Sequence, residues 1–286
     1  MPMVSIGMPV YNGAKYLRRS LDSLLGQSFN DLEIIISDNG SNDETWEILE
    51  EYARIDRRII LFQQSSNIGA ENNFAFVLQK AGGQYFMWAA CDDWWATEYI
   101  EHLTEGLNSH PEHGVAMSSL HRIREDGTLV DKVIYGGNDA LSGLDYRGVF
   151  QRMTKIYPSP PVHLFIYGLF RTELLKNLLR QPFQKSIASD RIFMCEAALT
   201  THFYSEPNVL HIRTVRNLSV AERYAEEQVG LVWKDNLRTV KYLIALVSRL
   251  VVSRNIPLTR KLVEIPLPWL RLVWRQRKVL ASSLFR

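Results

Sequence analysis

The chain has 286 residues, 46% hydrophobic and 22% charged, with only two cysteines, Cys91 and Cys195. That composition excludes a disordered chain, and the cysteine count excludes a disulfide framework or a Cys-x-x-Cys metal site. The net charge of +2 hides an asymmetry: residues 1–229 hold 21 Lys+Arg against 29 Asp+Glu, whereas residues 230–286 hold 12 against 2.

The expected elements alternate strand and helix through the first half. Residues 4–9 form a β run stopped by Pro9, so the N-terminus reads as a first strand and not as a signal peptide. Tyr11-Asn12-Gly13 makes a turn. Leu17, Leu21, Leu24 and Leu25 recur at helical spacing within residues 14–26. Residues 32–37 form a strand, and Asn42-Asp43-Glu44-Thr45 caps a helix running to about residue 55. A strand at 59–63, a turn at Asn67-Ile68-Gly69, a helix at 70–81 and a strand at 85–90 complete a βαβ rhythm, which predicts a parallel sheet. Gly40 and Gly69 fall in loops, where a positive φ or a close backbone approach is cheap.

A helix at 96–109 and a strand at 115–120 follow. Residues 135–161 are loop-rich, 166–170 strand-like, and 172–179 and 190–199 helical, with Ser189 or Asp190 as the cap of the last. Beyond Gln228 the chain is mainly helical and basic, broken near Pro257, Pro266 and Pro268. No run is apolar for the 18 residues a membrane span needs; the nearest, 242–252, is shorter and contains Arg249. The few cysteines favour a reducing, cytoplasmic setting.

Two acidic stretches stand where strand-like runs end: Ser37-Asp38-Asn39-Gly40-Ser41 and Ala90-Cys91-Asp92-Asp93. Ligands of open α/β sheets bind outside the carboxyl ends of the strands. Adjacent carboxylates there repel unless a cation or proton is shared. The simplest cation is a hard divalent metal, and the simplest reason to hold one is a phosphate-bearing substrate.

These residues resemble the inverting nucleotide-sugar glycosyltransferases of family 2. The resemblance rests on Pro9-Val10-Tyr11-Asn12, the stretch from Ser37 to Asp43, Asn67-Ile68-Gly69 with Asn73, Asp92-Asp93, Tyr167-Gly168-Leu169-Phe170-Arg171 and Ser189-Asp190-Arg191. It covers about residues 3–220. It implies an α/β fold with a Rossmann-like, mostly parallel central sheet of the glycosyltransferase A type and a C-terminal helical extension. The implied domains are a catalytic one at 1–228, with a nucleotide-sugar half to about 95 and an acceptor half beyond, and a basic amphipathic extension at 229–286.

The resemblance also implies roles. Pro9, Tyr11, Asn12, Asp38, Asn67, Gly69, Asn73, Asp92 and Arg213 would bind the nucleotide-diphosphate donor. Asp92 and Asp93 would hold Mn²⁺ or Mg²⁺, with Asp93 as the direct ligand. Asp190 would be the catalytic base, and Trp94, Trp95 and Arg191 would face a carbohydrate or lipid-linked acceptor in surface polysaccharide or glycolipid assembly. The sequence departs from the family at Ala90, which replaces the first Asp of the acidic motif, at Asn72, where an Arg is common, and at Arg213-Thr214-Val215, which lacks a His. The alternative is a catalytically degenerate nucleotide-sugar-binding or scaffold protein of the same fold.

In the tail, Trp233, Tyr242, Leu243, Leu246, Leu250 and Val251 accompany Lys234, Arg238, Lys241 and Arg249, and Trp269 and Trp274 stand among Arg271 and Arg275. Trp and Leu with Arg and Lys on one helix is the pattern of an interfacial membrane helix. Packing on the catalytic domain or on a second subunit is the other reading. A nucleic-acid partner is disfavoured by the acidic body.

Overall fold

A computed structural model of the chain describes residues 2–134, 162–183, 189–216, 235–259 and 261. The expected loop-rich segment at 135–161 and the second basic run around Trp269 and Trp274 lie outside the described residues. The elements are β1 (Val4–Val10), α1 (Ala14–Leu25), β2 (Leu32–Asp38), α2 (Thr45–Ile55), β3 (Ile59–Gln63), α3 (Ala70–Lys80), β4 (Tyr85–Trp88), β5 (Trp94–Trp95), α4 (Tyr99–Ser109), β6 (His113–Arg124) and β7 (Leu129–Val133). A 3-10 turn (Val162–Tyr167), β8 (Leu169–Arg171), α5 (Thr172–Leu178), α6 (Ser189–Thr200), β9 (His202–Val215) and α7 (Asp235–Val252) follow.

The sheet runs β3-β2-β1-β4-β8-β6-β9-β5, with β7 paired to β6. Its first four strands are parallel, as the βαβ rhythm predicts. The pairings β4–β8, β6–β8, β6–β7 and β5–β9 are antiparallel. Parallel strands need cover on both faces, and β1 is buried along nearly all its length. Leu17, Leu21 and Leu24 of α1 join Val4, Ile6, Met8, Ile34 and Ile36 in one core. Gly7 allows close packing on the opposite face, because a Cβ there would stand 2.5 Å from Phe86 and 2.8 Å from Val77.

The mixed α/β fold is therefore as expected, but several strands differ from the sequence reading. Residues 166 and 167 belong to the 3-10 turn, so β8 starts only at Leu169. The two-residue β5, the five-residue β7 and the 14-residue β9 have no counterpart in the expected elements.

Contacts divide the chain into two compact units, each made of separate segments. The first contains residues 1–143, 164–176 and 203–217. The second contains 144–163, 177–202 and 218–286, so the segment expected to stand alone as an extension shares a unit with α6. Within that unit Arg249 of α7 is fully buried, and its Nε donates to Oε2 of the equally buried Glu196 at 2.6 Å. The guanidinium also donates to the carbonyls of Pro182 (2.8 Å), Leu178 and Gln181 (both 3.2 Å). The other Glu196 oxygen accepts from the Ser253 hydroxyl and from Asn255 Nδ2. Arg249, expected among the basic residues of a surface helix, is thus an internal cation. Among the described residues no helix is long and apolar enough to cross a membrane.

Candidate active site

The carboxyl ends of β1, β2 and β4 open on one edge of the sheet, because Val10 lies beside Asp38 in register and Ala89 N–H donates to Gly7 just past β4. The β1 and β2 loops are stapled together. Asn12, at φ 49°, accepts from Asn42 N–H on its side chain and donates its own N–H to Ser41 Oγ at 2.8 Å. Thr45 Oγ1 and Asp43 Oδ2 accept the N–H groups of Gly13 and Ala14, so the β2 loop caps α1. A Cβ on Gly13 would stand 3.0 Å from Cys91 Sγ, which puts the acidic motif directly against this turn.

Asp38 is fully buried. Its Oδ1 accepts from the N–H and hydroxyl of Ser41 in an Asx-type turn. Its Oδ2 is buried without a partner. A buried carboxylate oxygen left unpaired is costly and calls for a donor. Asn39 and Asn67 brace the next loop: Asn39 Nδ2 donates to Asn67 Oδ1 at 3.0 Å, and each side-chain oxygen accepts a backbone N–H, from Ile68 and Gly69 respectively. Gly40 at φ +74° and Gly69 at φ +88° take the left-handed backbone these turns require. Asn73 is buried, donates to Ser37 O at 2.9 Å, and has an unpaired Oδ1. Pro9 and Tyr11, at the end of β1, are half-buried.

The two carboxylates of the acidic motif have different surroundings. Asp93 is buried, and both its oxygens are taken: Oδ2 by His211 Nε2 at 3.0 Å and Oδ1 by Thr214 N–H at 2.9 Å. The His211 ring stacks on Trp95 with centroids 5.4 Å apart. Asp92 Oδ2 accepts from Arg216 Nε at 2.6 Å, while its Oδ1 has no hydrogen bond among the described residues. Burial and the adjacent Asp93 push the Asp92 carboxyl above the usual range, and Arg216 pulls the other way. Burial pushes the Cys91 thiol up to about 12, which suits a packing role and not a nucleophile.

This geometry bears on two expected roles. Asp93 is braced by His211 and Thr214, whereas Asp92 Oδ1 accepts no hydrogen bond among the described residues, so Asp92 is the more open of the two carboxylates. A single carboxylate fits a Mg²⁺-type site in which substrate phosphates and water supply the other ligands. Among the described residues no three His, Cys, Asp or Glu side chains gather to hold a metal by themselves. Trp95 is buried against His211 and has no surface for a sugar. Trp94 is half-buried beneath the Arg19 guanidinium, 3.6 Å from its ring centre.

Sequence reasoning missed His211, Thr214, Arg216 and Arg19. Arg19 Nη2 donates to Thr214 Oγ1 at 3.2 Å, and Arg213 lies over the Tyr167 ring. Asp190 and Arg191 belong to the second unit, at the start of α6, where Asp190 Oδ1 accepts from Arg191 N–H at 2.7 Å.

Solved structures share this mixed α/β fold, with its parallel strands ending in the loops that carry Asp38 and the acidic pair. The Staphylococcus aureus TarS 1-349 structure in complex with UDP-GlcNAc aligns with a TM-score of 0.69 at 18% identity, over 98% of this chain and 75% of that one. The mannosyltransferase PcManGT from Pyrobaculum calidifontis, solved with GDP-Man and Mn²⁺, aligns with a TM-score of 0.60 at 15% identity, over 99% and 75%. At these identities the likeness is one of fold. The sequence profile of glycosyl transferase family 2 matches residues 5–179, and the chain belongs to that family.

Relatives are similar over shorter stretches. The uncharacterized glycosyltransferase RP339 of Rickettsia prowazekii (strain Madrid E) is 39% identical over 107 residues, 37% of this chain and 32% of that protein. The putative teichuronic acid biosynthesis glycosyltransferase TuaG of Bacillus subtilis (strain 168) is 32% identical over 134 residues, 47% of this chain and 53% of TuaG. The matches thus span about a third to a half of these relatives' length.

Proposed function

We propose that the chain transfers a sugar from a nucleoside-diphosphate donor to a hydroxyl acceptor with inversion, in surface polysaccharide or glycolipid assembly. The observation that carries this reading is the buried, unpaired Oδ2 of Asp38 at the mouth of β2. An imide or amide N–H of uracil, thymine or guanine would satisfy it. Pro9, Tyr11, Asn12, Asn67, Gly69 and Asn73 line or shape the same loops. Asp92 would hold a divalent cation against the donor diphosphate, and Arg213 would add positive charge. When bound, that cation supplies Lewis-acid stabilisation of the leaving nucleoside diphosphate.

Asp190 is the proposed general base. It takes the proton of the acceptor hydroxyl as that oxygen forms the new bond to the anomeric carbon. The bond from that carbon to the diphosphate breaks on the opposite face, and its electron pair leaves with the phosphate oxygen. Trp94 and Arg191 are proposed to contact the acceptor.

Ala90, standing where the family's acidic motif has its first Asp, favours a second reading, a donor-binding protein without transfer activity. Thermal melting with UDP-, dTDP- and GDP-sugars, with and without Mn²⁺, tests the first step. A donor at a hundred times its dissociation constant should add about 2.7 kcal/mol. A shift with one nucleotide supports the reading, and hydrolysis or transfer of its sugar excludes the inactive alternative. No shift with any donor overturns it.

We also propose that residues 230–286 make a peripheral contact with an anionic membrane. Their excess of basic residues supports it, as do Ile244, Val251, Val252 and Leu258, all more than half exposed. Co-sedimentation with phosphatidylglycerol vesicles should exceed that with phosphatidylcholine and fall as salt rises. Equal binding to both, or none, would leave packing on a second subunit as the reading of this face.

A further inference from the structure

Arg216 stands just past the end of β9, against the acidic pair. Its Nε is 2.6 Å from Asp92 Oδ2, and its guanidinium lies 5.2 Å from the Tyr16 ring centre. The surrounding contacts hold the two strand ends together and leave Arg216 at their rim. Thr214 donates its N–H to Asp93 and its hydroxyl to the Asp92 carbonyl. Those bonds fix the backbone on both sides, whereas the Arg216 side chain keeps about a quarter of its surface in solvent. Asp93 is bridged to His211 and Thr214, and Asp92 is the carboxylate that Arg216 neutralises.

A guanidinium stays protonated at any working pH, so only a competing partner can move it. A diphosphate is such a partner, because its oxygens match the planar fork of the guanidinium in pairs. We infer that Arg216 is an exchangeable counter-cation: it holds Asp92 in the donor-free chain and turns to the diphosphate when a nucleotide binds. Asp92 then binds a divalent cation more tightly with nucleotide present than without it. The inference rests on the nucleotide-sugar reading above and adds an order of binding to it.

The test is a Mn²⁺ titration of the full chain by electron paramagnetic resonance, with and without UDP or GDP, on wild type and Arg216→Gln. Nucleotide binding in EDTA is measured in parallel. Losing one charge-assisted contact should tighten nucleotide-free Mn²⁺ binding by about tenfold and weaken nucleotide binding in EDTA by a similar factor. The ratio of Mn²⁺ affinities with and without nucleotide should then fall by about tenfold or more, a coupling that loss of general positive charge would not erase. Arg216→Lys, which keeps the charge but loses the fork, should move the ratio the same way by less, and it serves if the Gln variant melts early. An unchanged ratio in a folded variant overturns this inference alone. Failure of wild type to bind either nucleotide brings down the functional reading and this inference together.

Discussion

Replacing Glu196 by Ala should destabilise the second unit by about 3–5 kcal/mol, the usual cost of stranding one partner of a buried ion pair. Glu196 and Arg249 are both fully buried. Every N–H-bearing nitrogen of the Arg249 guanidinium and both oxygens of Glu196 are engaged within that unit. Removing the carboxylate leaves a guanidinium that cannot lose its proton, facing carbonyls that offset only part of its desolvation. Urea unfolding followed by circular dichroism measures the effect, with nucleotide binding as a separate check on the first unit. The double variant Glu196→Leu/Arg249→Met should recover most of the loss, since apolar replacement of a whole buried pair is often neutral. A loss under about 1 kcal/mol in Glu196→Ala would mean that the pair does not hold α7 to α6. The same network makes removal of residues 230–286 a structural lesion, because Arg249, Ser253 and Asn255 leave with it.

The second large effect is on chemistry. Asp190→Asn should lower kcat by about two to four orders of magnitude, the range for general acid–base groups, or about 2.7–5.5 kcal/mol of barrier. The carboxylate sits in the first turn of the 12-residue α6 and accepts from Arg191 N–H. Asn keeps the shape and the accepting oxygen but cannot take a proton, so the donor KM should hold. Initial-rate kinetics with the identified donor separate the two constants. Near-normal turnover would remove Asp190 from the mechanism and leave it a helix-end residue.

The first hundred residues were legible because their signals are local. Leu17, Leu21 and Leu24 repeat at helical spacing, and Ile34, Ile35 and Ile36 form a run long enough for a buried strand. Gly40 and Gly69 marked turns that do take positive φ. β9 was illegible because Pro207-Asn208 reads as a turn in the middle of its 14 residues. With β9 went the partners of Asp93, since His211 lies 118 residues away in sequence. Adjacent aspartates look alike in a sequence, and only the pairing of β5 with β9 separates the one bridged to His211 and Thr214 from the one held by Arg216. Arg249 carries the same lesson. A cation among leucines gives one pattern whether its partner is a lipid phosphate or a glutamate inside the protein.

The order of the strands has a consequence for biogenesis. β5 joins the sheet only through β9, and β9 begins at His202, more than a hundred residues after Trp94 and Trp95 have left the ribosome. A nascent chain not yet extended to residue 211 therefore carries Asp93 with neither His211 nor Thr214 to meet it. Closing such distant pairs is slow, and strands awaiting their neighbours invite pairing with other chains. The acidic motif is thus synthesised well before the strand that completes its contacts. Mutations in β9 should thus lower the yield of folded protein even where they leave every donor contact in place.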